Sequence, residues 1–319
     1  MAASINEVRN TVLAIANKNN YGYITPQDFN LYAQQAQLDM FEDYFYYYNN
    51  WINRENNRSA GTGYADVMKG LEEVIDTFSV TVTLGNIFAS NVWQLPRDYY
   101  LINKVFYYSD PLFTGTNTAA GVNVLIDGAA TGWTTIPTSS PTPPIGSLVV
   151  NTATFEEAYI TGVVSTTEVT LSRSIFPVVL GQEYVIYNNT KIREVERVTQ
   201  SKIWYLTNSQ LTAPTKTYPA YTMEGSRITV YPTTITNRAS IRTQYIRYPR
   251  PPRWTFQNLQ LGEPQFDPTQ QDFQEFELPD SDEPTLIAKI CQYVGIEIRE
   301  AEVYNFGKAE EDSETQESS

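Results

Sequence analysis

The chain has 319 residues, with 36 acidic and 22 basic side chains, a formal net charge of −14, one cysteine and no histidine. That length holds two domains, or one domain with an insertion, each with its own core. A lone Cys291 excludes an intramolecular disulfide, and no apolar run approaches the roughly eighteen residues of a membrane span.

The charge is unevenly placed. Residues 251–319 hold 16 acidic and 4 basic side chains, and residues 1–250 hold 20 and 18. This argues against a dedicated nucleic-acid binder, which would carry a basic footprint. It is compatible with a wall along which DNA slides without sticking. The opening residues are polar and lack a basic start followed by an apolar run, so no secretion signal is expected and the chain reads as made in a reducing cytoplasm. Asn188-Asn189-Thr190 fits a glycosylation acceptor, which means little without such a signal. Tyr is heavy at 23 copies, which suits either an aromatic β-rich core or protein–protein surfaces.

In chain order, Ile5, Val8, Val12, Ile15 and Ala16 recur at helical spacing, with Ser4 as cap and Glu7 completing a capping box. Thr25-Pro26-Gln27-Asp28 opens a second helix expected to reach about Asn50. Its aromatic run Tyr44–Tyr48 exceeds one helix face, so the helix is either buried all round or meets another subunit. A loop at Gly61–Gly63 and a short helix over Val67–Ile75 complete a helical module, residues 1–76. From Phe78 the period changes to two, and Leu101–Tyr108 reads as an apolar strand.

Residues 112–189 are rich in Thr, Gly, Pro and Ser. Short strands at 121–126, 146–150, 156–163, 167–172 and 183–187, with a Pro/Ser loop at 138–144, predict an inserted β-sandwich or barrel. Residues 191–210 mix both periods and carry no assignment. Tyr218–Tyr231 and Arg238–Tyr248 read as two strands of a hairpin or meander, the second half-buried at best, with Pro249, Pro251 and Pro252 ending the pairing. A Gln-rich stretch, 255–283, reads as an extended arm. Asp280–Pro284 starts a helix with Leu286, Ile287, Ile290, Tyr293 and Val294 as its stripe and Gly295 as its end. A further helix over 300–312 and a disordered acidic tail close the chain. The expected class is α+β: a helical module (1–76), an antiparallel β core (77–111 and 190–254), an inserted β-domain (112–189), an arm (255–283), and C-terminal helices with the tail (284–319).

The absence of histidine removes the commonest general base and metal ligand, and with it every Ser–His or Cys–His pair. No phosphate loop, dinucleotide fingerprint, nucleophile elbow or calcium loop is present. No cofactor or metal is expected. The carboxylate pairs Glu156/Glu157, Glu194/Glu196 and Asp280/Asp282 have the composition a glycosidase needs, and equally that of solvated faces and helix caps. Cys291, beside Ile290, reads as a buried inert thiol. The pattern points away from an enzyme. The segment holding Tyr245, Arg247, Tyr248, Arg250, Arg253 and Trp254 interleaves Arg with aromatics in a Pro-rich strand. It fits interface anchors, a phosphate contact, or a protected strand edge. With the stripe residues Leu286, Ile287, Ile290 and Tyr293, it supplies the candidate interface.

The order of several segments resembles one family. A helical module precedes Leu95-Pro96-Arg97-Asp98-Tyr99. Then come Ile192-Arg193-Glu194-Val195, Leu211–Thr215, Tyr218–Tyr221 leading to Ile228–Pro232, Tyr248–Trp254, and Phe276–Asp280 before a capped helix ending Val294-Gly295-Ile296. Residues 90–110 and 191–312 are thus similar to bacteriophage head–tail adaptor (ring) proteins of the tail tubular protein A type, including those of crAss-like and other short-tailed phages. Residues 112–189 depart from that pattern. The resemblance implies a virion protein, assembled in the host cytoplasm, whose copies form a closed ring below the portal, commonly a dodecamer. The ring would continue the DNA channel, with DNA only as passing cargo, and give the next tail protein a platform. Its partners would be itself, the portal and an adjacent tail or ring protein, with no membrane. Templated assembly would order a mobile arm and the C-terminal helices. Two other readings are a tail-fibre or carbohydrate-binding surface protein and a carboxylate-based glycosidase.

Overall fold

A computed structural model of the chain describes residues 3–16, 24–56, 65–87, 90–130, 133, 143–176, 180–258, 264–298 and 308. The helices are α1 (Ile5–Ala16), α2 (Pro26–Asn56), α3 (Ala65–Thr77), α4 (Gln200–Asn208) and α5 (Glu283–Ile298). With antiparallel sheets beside them, the protein is α+β. It divides into two compact units: residues 1–78 with 248–319, and residues 79–247.

The first unit packs α5 against α1 and α2. Its core takes Val8 and Val12 from α1, Phe29, Ala33 and Phe41 from α2, and Leu286, Ile290 and Val294 from α5, all buried. Carboxylates on α2 and at the start of α5 add polar ties. Lys289 Nζ lies 3.0 Å from Asp43, Tyr293 donates to Asp39, and Tyr44 donates to Asp282. The aromatic run on α2 is split: Tyr44 is buried, Tyr46 is exposed, and Tyr48 donates to Glu72 at 3.2 Å.

Thr25 caps α2 by accepting the Asp28 amide at 3.2 Å. At α1 the first-turn amide of Ile5 goes instead to the Glu275 carboxylate at 2.6 Å, so a residue 270 positions away fills the role expected of the Ser4 box. α5 runs through the buried Gly295 to Ile298 rather than stopping there. The expected helix over 300–312 (Lys308 apart), the tail, the Gly61–Gly63 loop and most of the 138–144 loop lie outside the described residues.

Residues 255–283 are not a free arm. Phe256–Asn258 pairs with Pro264–Phe266, Arg253 bridges to Gln274, and Phe276 and Leu278 are buried. The Gln-rich composition concealed five apolar residues (Phe256, Phe266, Phe273, Phe276, Leu278) that fasten this stretch to its unit. A backbone bond from the Ala3 amide to the Leu278 carbonyl and a bond from the Glu277 amide to Gln37 complete the attachment.

Among its described residues the second unit has three sheets. Four antiparallel strands lie in the order 79–83, 241–247, 99–108, 192–194. Five lie in the order 196–197, 220–224, 227–231, 92–94, 85–86, antiparallel except for the first pair. These two sheets share one core, built from Trp93, Val105, Tyr107, Tyr221, Ile228, Val230 and Ile241. The expected meander is corrected here. Residues 220–231 form a hairpin by themselves, turning at Gly225 (φ +57°) where a left-handed backbone favours glycine. Ile241–Arg247 instead becomes an interior strand between 79–83 and 99–108, with Ile241, Thr243, Tyr245 and Ile246 buried.

The six-stranded sheet takes strands 113–116, 183–187, 148–151, 157–163, 168–171 and 124–126 in that order, all antiparallel. It curls until Ala119, just beyond its first strand, bridges to Ile126 on its last. One face encloses Val149, Ile160, Val169, Ile186, Trp133 and Phe176. The other face lays Leu148, Val150 and Tyr187 on Tyr108 and Ala239. Strand 148–151 is therefore buried on both faces, and the sheet is seated on the neighbouring strands rather than tethered by its ends.

Candidate interaction surfaces

The Arg-and-aromatic segment is divided between the two units after Arg247. Tyr245 is buried, and its hydroxyl donates to Asp98 at 3.1 Å. Burial, with the nearby Asp98 charge, pushes the phenol up to about 12. Trp254 is also buried. Its ring is stacked on Phe256 and Phe266 with the Arg9 guanidinium 3.8 Å from its centroid, and its indole N–H donates to Asn6 at 3.1 Å. Both residues are core anchors and not exposed interface side chains. Arg247 is half-buried, and Tyr248 is exposed with its ring tilted 5.9 Å from that of Phe41. Arg250 and Arg253 are exposed, Arg253 being paired with Asp272 at 2.9 Å.

The α5 stripe is corrected in the same way. Leu286 and Ile290 are fully buried against α1 and α2, so they hold the helix down and offer no contact outward. Ile287 and Tyr293 are half-buried. Desolvation pushes the Cys291 thiol up to about 11, which disfavours the thiolate a nucleophile needs. The carboxylate pairs likewise have structural partners. Glu157 meets Arg242, Glu194 lies 3.5 Å from Lys104, and Asp282 receives Tyr44. Among the described residues, no group of three or more His, Cys, Asp or Glu could hold a metal ion, and no helix is long and apolar enough to cross a membrane.

The surface that stands out lies in the stretch the sequence left without assignment. α4 buries one residue, Ile203, against Val198 and Ala220. Leu206 packs partly against the same cluster, while Trp204 and Tyr205 on this nine-residue helix stand at 70% and 76% exposure. The loop that follows leaves Leu211 at 93% and Tyr218 at 79%. Trp204 also lines a groove with Ala213, Pro214, Tyr231 and Pro232. Large apolar side chains concentrated in this way mark contact surfaces, since an isolated monomer gains nothing by wetting them. Lys202, on α4, and Lys216, in the loop that follows, are exposed. No protein-family model matches the chain, and no curated protein matches it.

Proposed function

We propose that this chain is a structural virion protein that forms a ring in the head–tail connector, below the portal and above the next tail protein. The observation that carries the reading is the exposed apolar shelf of Trp204, Tyr205, Leu211 and Tyr218, on a fold whose sheets already have cores of their own. A closed ring needs such a surface, because each subunit must present two different faces to its neighbours. The order of segments along residues 90–110 and 191–312 supports the same reading. The acidic surplus fits a channel that DNA traverses without binding.

The test is the mass of the purified protein, alone and mixed with the portal. Entry into a large stoichiometric complex with the portal supports the connector. A stable trimer that ignores the portal overturns it and favours a surface-binding virion protein. That second reading draws on the same groove, where Trp204 and Tyr231 line a concave surface beside Thr207 and Thr233.

A further inference from the structure

We propose that the shelf around Trp204 binds the acidic C-terminal segment, residues 299–319, of a second copy of this chain. The inference rests on the ring reading and names the contact that would link one subunit to the next.

Charge selects the occupant. Residues 197–223, which hold the shelf, carry Arg197, Lys202 and Lys216 and no acidic side chain, whereas residues 263–319 carry sixteen acidic and three basic. Within the first block, Lys202 is on α4 and Lys216 is in the loop behind it, both exposed. An apolar surface with cations at its margin takes an acidic segment that brings apolar anchors of its own. Residues 299–319 fit that description, with seven acidic and two basic side chains and with Val303, Tyr304 and Phe306 ahead of Glu310, Glu311 and Asp312. Val303 and Phe306 are three apart, a spacing that puts both on one face of the helix expected over 300–312. These anchors would then meet Trp204 and Tyr205 while the acidic run reaches Lys202 and Lys216.

Reach and symmetry select a second copy. Twenty-one residues span up to about 70 Å when extended, enough to pass from one subunit to its neighbour. A shelf and a segment on the same chain are two unlike surfaces, which is what head-to-tail closure requires.

A fluorescently labelled peptide of residues 299–319, titrated against the full-length protein, tests the contact by anisotropy. We expect saturable binding, weakened at least tenfold by Trp204→Ala with Tyr205→Ala, and at least tenfold by Lys202→Glu with Lys216→Glu. All four side chains are exposed, and an unchanged melting temperature verifies folding. A peptide carrying lysine at positions 310, 311 and 312 should lose binding to the native shelf and regain it with the doubly reversed Lys202→Glu, Lys216→Glu protein. No saturable binding, equal binding by all shelf variants, or equal binding by a polyglutamate peptide each overturns the proposal. Mixing the Trp204→Ala, Tyr205→Ala protein with one carrying the 310–312 charge reversals should give a 1:1 pair, since one supplies the segment and the other the shelf. Failure to pair would place the contact within a single chain and overturn the second-copy assignment. Peptide binding without portal association would leave the contact standing and remove the ring; portal association without peptide binding would do the reverse.

Discussion

Arg242 and Glu157 meet at 2.5 Å although 85 positions separate them in the chain. Their side chains are 13% and 16% exposed. The arginine is on an interior strand of the four-stranded sheet, and the glutamate opens strand 157–163 of the curled sheet. The same guanidinium donates to Tyr159 at 2.9 Å and Tyr108 at 3.3 Å, while Thr83 donates to Glu157 at 2.8 Å. This cluster fixes the orientation of the two sheets where Leu148, Tyr187 and Tyr108 bring them into contact.

Breaking one half of that pair leaves a largely buried charge without its partner. Glu157→Ala is expected to destabilise the protein by about 3–5 kcal/mol, whereas Arg242→Met with Glu157→Leu should lose much less. Urea unfolding midpoints of the two variants decide the point. Equal losses would show that packing, not the uncompensated guanidinium, dominates.

Alkaline titration should weaken the second unit. Tyr245 is pushed up to about 12, and Tyr184 and Tyr187 are also raised, in each case first by burial. The folded state therefore holds these protons more tightly than the unfolded chain does. The contribution of Tyr245 is complete below pH of about 10 and is lost as pH rises from there through about 12, and that of the other two is lost at still higher pH. Tyr245→Phe should flatten part of that decline in thermal melts recorded between pH 9 and 12, and an unchanged slope would contradict the assignment.

Two tryptophans should behave oppositely. Trp254→Ala removes the centre of an aromatic stack and should cost about 3–5 kcal/mol. Trp204→Ala, at an exposed site, should change stability by no more than about 0.5 kcal/mol while weakening association. Denaturation and sedimentation measured on the same two proteins separate core from contact.

The docking of α5 can be followed through its cysteine. Cys291 is buried and its thiol is raised to about 11, so a thiol reagent at pH 8 should leave the native protein unmodified. Leu286→Ala or Ile290→Ala, each expected to cost about 2–5 kcal/mol, should accelerate labelling by loosening α5 from α1 and α2. Rapid labelling of the native chain would show that α5 does not stay docked.

Periodicity alone was enough to locate α1, the start of α2 at Thr25-Pro26, and five strands of the curled sheet to within a few residues. Helical and strand spacing follow from local geometry, and Pro, Gly and capping residues act within a few positions. The missed strand, 113–116, is a short edge whose inward positions are Phe113 and Gly115, so a single side chain marks its apolar face. The rest depended on which surfaces meet. Tyr245 and Trp254 looked like interface anchors because aromatic and Arg residues serve cores and interfaces alike, and only the third dimension placed Asn6, Arg9 and Asn30 around Trp254. Leu286 and Ile290 formed a readable stripe, but a stripe does not say whether its partner is α2 or another molecule. Conversely, the outward face of α4 and the shelf around Trp204 emerged only once Ile203 was found to satisfy the sheet beneath. The sequence thus determined element types, their punctuation and the acidic bias of its C-terminal part. Which apolar surfaces were covered and which remained open was decided by tertiary contacts, some between residues as far as 270 positions apart, and no local pattern encodes those.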